Sequence, residues 1–84
     1  MKNIISNCEI IFNGSLQDRT GCLGAYIEIQ PGDTLLDVHV QAINRFPVLR
    51  GLTYSIASES DFMHQNDLVR EGQKIHFMPP FAGG

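Results

Sequence analysis

The sequence predicts an α+β domain: a mixed sheet of four to five strands with one main helix across one face. Three observations predict it. Short stretches of period two lie towards both ends of the chain, one stretch of helical period lies between them, and turns bearing glycine or proline separate them. With 84 residues there is room for one core, and a chain of this size buries only a little over ~60% of the surface its unfolded form exposes.

The first seven residues read as a polar lead-in to a domain spanning residues 8–78. Cys8 to Asn13 is β-branched and aromatic and is bounded by Gly14, which predicts a strand with Ile10 and Phe12 inward and Glu9, Ile11 and Asn13 outward. Ser15 to Gly24 reads as a turn-rich connection anchored by Leu16, and Ala25 to Gln30 as a second strand ended by Pro31-Gly32, completing a hairpin. Thr34 followed three residues later by Asp37 is a variant of the capping-box signature. From Leu35 to Phe46, steps of 100° gather Leu35, Leu36, Val38, Val40, Ala42, Ile43 and Phe46 on one broad side, an amphipathic helix that Pro47 stops. Leu52 to Ser58 alternates with Leu52, Tyr54 and Ile56 on one face. Phe62-Met63-His64 reads as a short edge strand, Asn66 to Arg70 as a helical turn and Glu71-Gly72 as a turn. Lys74 to Met78 is the last strand, with Ile75 and Phe77 inward and His76 and Met78 outward.

Composition narrows the function. The net charge of −3 leaves no basic footprint for nucleic acid. Two cysteines supply neither a disulfide framework nor a four-cysteine zinc or iron–sulfur site. The N-terminal residues lack the apolar run of a signal peptide, and no stretch approaches the ~20 apolar residues of a membrane helix. The expectation is a cytoplasmic protein with reduced thiols and no membrane or nucleic-acid partner.

After the last strand come Pro79-Pro80-Phe81-Ala82-Gly83-Gly84. The prolines remove backbone donors, so this segment neither continues the strand nor starts a helix, and it is expected to protrude as a flexible tail. A strand-helix-strand domain running into Gly-Gly resembles the ubiquitin-like β-grasp sulfur carriers. Within them, Asp67 to Gly84 is similar to the small subunit of molybdopterin synthase: a leucine-containing turn, a glycine turn, an apolar strand, Pro-Pro, two small or apolar residues and Gly-Gly. Ile10 to Leu16 and Pro31 to Val38 also resemble that family. Pro-Pro separates the chain from the thiamin sulfur carrier, which is similar in fold and in Gly-Gly.

The resemblance implies that the chain is a non-catalytic subunit with no bound cofactor or metal. Its Gly84 would be adenylated by an ATP-dependent activating enzyme of the ubiquitin-activating type and converted by a sulfur donor to a thiocarboxylate. The large, catalytic subunit of molybdopterin synthase would then use the sulfur. Without Cβ atoms, Gly83 and Gly84 suit passage through a narrow channel, and Pro79 to Gly84 spans at most ~20 Å. Ile11, Met78, Pro79, Pro80, Phe81 and Ala82 are the expected partner-binding residues. The family commonly carries an apolar or aromatic residue near Asn13, so Asn13 and His76 make this outer face more polar than usual. It also has an Asn-containing turn where this chain reads Ser58-Glu59-Ser60-Asp61. A carrier for another sulfur pathway (thiamin, cysteine, another thiolated metabolite or tRNA), a ubiquitin-like modifier and a plain β-grasp interaction domain are the alternatives. The last would be indifferent to loss of Gly84.

Other candidates read as structural. His39, on the helix's apolar side, is either a ligand or pH switch or a boundary histidine with one backbone partner, and the second is expected. His64 and His76 add no metal-ligand spacing. Cys8 opens a strand, and Cys22, in a glycine-flanked loop, is expected to be incidental rather than reactive. Asp33 and Asp37 are accounted for by the helix N-terminus.

Overall fold

The computed structural model describes residues 5–59 and 61–80. Strands β1 (Ser6–Phe12), β2 (Gly24–Ile29), β3 (Ser55–Ser58), β4 (Asp61–Phe62) and β5 (Lys74–Met78) form one sheet in the order β2-β1-β5-β3-β4. The central pair, β1 and β5, is parallel, in the register Glu9↔Lys74 to Phe12↔Phe77. The other pairs are antiparallel. Helices α1 (Ser15–Thr20) and α2 (Leu35–Arg45) and a 3-10 turn at Pro47–Gly51 complete the order.

The two central strands are the most regular in the sequence, and they supply the centre of the core. Cys8, Ile10 and Phe12 from β1 and Ile75 and Phe77 from β5 are fully buried with Val38 and Ala42 of α2. The Phe12 ring meets Phe46 and Phe77 edge-on, with centroids at 5.1 and 5.7 Å, a favoured aromatic geometry. Strand β1 starts at Ser6 rather than Cys8, because Ser6 and Asn7 pair with Ile29 and Glu28 of β2.

Helix α2 starts as its sequence predicts: the Thr34 N–H donates to Asp37 Oδ2 at 2.8 Å. The next two N–H groups donate to a distant loop, Leu35 to the Asp67 carbonyl (2.8 Å) and Leu36 to that of Gln65 (3.1 Å). This corrects the helical turn expected at Asn66 to Arg70. The Asp67 carbonyl and that of Gln65, just before the segment, serve as caps for α2, and Leu68 bridges Thr34 instead. The apolar side of α2 is narrower than the 100° steps suggest, since Leu36 and Val40 remain 44% and 48% exposed. On the opposite side Gln41 and Arg45 reach the free edge of β2, donating to the carbonyls of Glu28 (2.9 Å) and Tyr26 (2.7 Å).

Four further differences have local causes. The connection after β1 contains α1, which buries Leu16 as expected and no other residue, and ends on Gly21 in the left-handed region. Strand β3 begins at Ser55, not Leu52. Ser55 pairs with Met78, and the next residue of β5's chain is Pro79, which has no N–H to offer. Strand β4 lies one residue earlier than predicted, and the Met63 N–H donates to the Ile56 carbonyl at 2.9 Å. Leu49, in the 3-10 turn after Pro47, is a core residue that the helix's end had hidden.

Candidate functional site

The strand registers place one transverse row on the sheet face turned away from α2: Gly24, Ile11, His76, Ala57 and Phe62. Met78 lies beside it, opposite Ser55. Ile11, His76 and Met78 are half-buried on this outer face, as alternation predicts. Sequence reasoning missed Phe62, the most exposed aromatic of the row at 68%, and Ala57 beside it. Alternation carried the signal for Phe62, because its neighbour Met63 packs against the core. Tyr26 and Leu23, also exposed, flank Ile11 at the β2 side of the face.

Asn13, Ala57, Glu59, Phe62, His76 and Met78 line a depression of about 490 Å³. Its floor is apolar, and its rim carries Glu59 and an Asn13–His76 contact in which the Asn13 amide nitrogen is 3.3 Å from His76 Nδ1. Glu59 sits at φ +56 in the turn from β3 to β4, a left-handed conformation that Asn tolerates better than Glu.

The chain leaves the sheet at the same end. Pro79 is half-buried and Pro80 exposed, neither in a strand. Phe81, Ala82, Gly83 and Gly84, the other expected tail and sulfur-loading residues, lie outside the described residues.

The remaining candidates resolve as structural groups. His39 is half-buried, but its partner is a side chain rather than the expected backbone group: Nε2 is 2.6 Å from the Tyr54 hydroxyl. Both rings pack on Phe77, Tyr54 stacked at 5.3 Å and His39 edge-on at 5.8 Å. Burial pushes the His39 imidazole below its ordinary pKa and the Tyr54 phenol above its own. A neutral His39 accepting the Tyr54 O–H satisfies both groups. Cys8 is fully buried, and burial raises its thiol pKa, which makes it a poor nucleophile. Cys22 is half-buried against the core. The carboxylates of Asp33 and Asp37 are occupied by the backbone N–H groups of Gln30 and Thr34. Among the described residues, no three His, Cys, Asp or Glu side chains are grouped to hold a metal, and no helix is long and apolar enough to cross a membrane.

The sequence profile of the ThiS family matches residues 10–84, nearly the whole chain and its Gly-Gly end. The chain belongs to the ThiS family. Solved structures agree with this ThiS-family assignment in fold. SAMP1 from Haloferax volcanii is 15% identical with a TM-score of 0.82, covering 93% of this chain and 99% of that one. Molybdopterin converting factor subunit 1 from Pyrococcus furiosus is 13% identical with a TM-score of 0.81, covering 89% and 98%. The small archaeal modifier protein 1 of Methanosarcina acetivorans is 14% identical with a TM-score of 0.76, covering 98% and 100%. No curated protein matches the chain. The architecture is therefore the ubiquitin-like β-grasp of small sulfur carriers and modifiers.

Proposed function

We propose that this ThiS-family protein is a sulfur carrier of the molybdopterin synthase type, with Gly84 as the residue that bears sulfur. The observation that carries the reading is the family match through Gly84 on a chain whose central strand β5 runs directly into Pro79-Pro80. A carboxylate oxygen of Gly84 attacks the α-phosphorus of ATP, bound by an activating partner, and pyrophosphate leaves. Hydrosulfide from a sulfur donor then attacks the carbonyl carbon of the acyl-adenylate, AMP leaves, and a thiocarboxylate remains. Its sulfur next attacks an electrophilic carbon of the acceptor, and as the C–S bond forms that carbon's bond to a leaving group breaks, the leaving group taking the electron pair. Water cleaves the resulting thioester, leaving sulfur on the acceptor and returning Gly84 as a carboxylate.

In this reading the chain supplies reach and docking, and the partners supply the catalytic groups. Pro79 to Gly84 extends at most ~20 Å, while the apolar groups Ile11, Met78 and Phe62 hold the domain against a partner, with Phe81 as a further anchor on the tail. The molybdopterin synthase large subunit and an adenylating enzyme are the partners, in the cytoplasm. A second reading, a ubiquitin-like protein modifier, is favoured by the likeness to SAMP1. It shares the adenylate and parts from the first when a lysine amine, rather than hydrosulfide, takes the acyl group.

Intact mass of the protein isolated from its native host separates them. A gain equal to one oxygen replaced by sulfur, lost on deletion of Gly84, supports the carrier. Covalent conjugates to other proteins, also lost on that deletion, support the modifier, and a chain unaffected in every respect by the deletion sinks both.

A further inference from the structure

The root of the tail is tied to the end of β1 through Asn13. The Phe77 carbonyl accepts the Asn13 backbone N–H at 3.0 Å and the Asn13 side-chain amide at 3.4 Å. The same amide nitrogen contacts His76 Nδ1. Asn13, the residue after β1, thereby ties the end of that strand to β5 just before the chain departs. Gly14 follows with φ +56 and ψ −134, a conformation that side chains rarely adopt. A Cβ at Gly14 would stand 3.1 Å from Pro79 Cγ and 3.6 Å from Cδ. A proline ring is closed and cannot swing aside as a flexible side chain does. Gly14 is thus required both for its own backbone and for the room it leaves Pro79.

We propose that Asn13 and Gly14 form a seat for Pro79 that aims the C-terminal segment, which makes them positioning residues for the loading of Gly84; this rests on the sulfur-carrier reading above. Proline fixes its own φ, and a following proline holds Pro79 extended as Pro79 holds Met78. With the Pro79 ring seated, the direction in which the chain leaves the domain is set before any partner arrives. A chain whose exit at Pro79-Pro80 is already directed loses less freedom on docking to a partner, so the seat acts on binding more than on the chemical step.

Two measurements on the full chain test this. The first is nuclear Overhauser contact between the Gly14 α-protons and the Pro79 ring protons, which needs no partner. Its absence overturns the seat outright. The second is loading by the host's adenylating enzyme with ATP and sodium sulfide, read by intact mass, for Asn13→Ala, Gly14→Ala, Pro79→Ala and the Gly14→Ala/Pro79→Ala double variant. The expected result is a rise in KM for the carrier of about fivefold or more, with kcat within about twofold. The double variant should be no worse than the worse single one, because without the Pro79 ring the Cβ added at Gly14 has nothing to displace. Asn13→Ala adds no backbone strain, so it decides the matter should Gly14→Ala unfold. Its KM rise must come with a weakened Gly14–Pro79 Overhauser contact, and a KM rise with that contact at the parent's strength overturns the seat. Variants loaded with the parent's KM, or additive effects in the double variant, overturn the seat while leaving the carrier reading intact. A parent that is not loaded at all overturns the carrier reading, and the seat's role in loading with it.

Discussion

The two faces of the sheet are made from the same five strands and follow opposite rules. The inner face is closed and apolar: Cys8, Ile10, Phe12, Ile27, Ile75 and Phe77 lie under α2, and none carries a charge. The outer face is a mixed surface in which Ile11, Met78 and Phe62 alternate with Asn13, His76 and Glu59. Stability should therefore reside on one side of each strand and recognition on the other, with single residues separating the two. His76 sits between Ile75 and Phe77 and shares neither of their environments.

Substitutions that cross this division sharpen it. The largest effect should come from Phe77→Ala on the inner face. Phe77 is fully buried, stacked on Tyr54 and edge-on to Phe12, so its loss should cost about 3–5 kcal/mol in denaturant unfolding. Gly24→Ala comes next, at about 3 kcal/mol, because its Cβ would lie 2.1 Å from the Ile10 carbonyl oxygen and only a backbone shift could make room. A melting temperature equal to the parent's would show that β2 can slide on β1.

The His39–Tyr54 pair gives a smaller, pH-dependent effect. Tyr54→Phe leaves His39 without its partner and should cost about 1 kcal/mol. Since burial lowers the His39 pKa in the folded state, the unfolded chain takes up the proton first as pH falls. This contribution to stability is full above about pH 6.5 and declines as pH drops below it. Urea unfolding should show that decline in the parent and a shallower one in His39→Gln.

The smallest stability change is expected on the outer face. Phe62→Ala should alter unfolding by less than about 0.5 kcal/mol yet weaken binding to the native partner by more than about 1 kcal/mol, measured by calorimetry. A large loss of stability with unchanged affinity would erase the division between the faces.

What the sequence revealed follows the same division. Strand β5, the inward set of β1 and the cap of α2 were legible because each is written in neighbouring residues: alternation in Lys74 to Met78, and Asp37 three places after Thr34. The parts that escaped depend on partners far along the chain. Asn66 to Arg70 forms no helical turn because Leu68 bridges Thr34 and α2 draws on the carbonyls of Gln65 and Asp67. His39 bonds to Tyr54, fifteen residues on, where a backbone partner was expected. Helix α1 was hidden for a different reason: one buried leucine between two glycines gives no period to detect. On the candidate site, alternation found Ile11 and Met78, but the depression that Met78 shares with Phe62 and Ala57 exists only once β3 and β4 are laid beside β5.

The side chains of Gln41 and Arg45 have a consequence for assembly. A free strand edge is a template on which another chain can add, and a sheet open on both sides can propagate without limit. Here the β2 edge has two of its carbonyls already occupied by α2, which leaves β4 as the side open to growth. Pairing of two copies through β4 would place at each end of the joint sheet a β2 edge on which Gln41 and Arg45 compete with an added strand. Gln41 and Arg45 thus guard the longer of the sheet's two edges against strand addition, and the other edge is the two-residue β4.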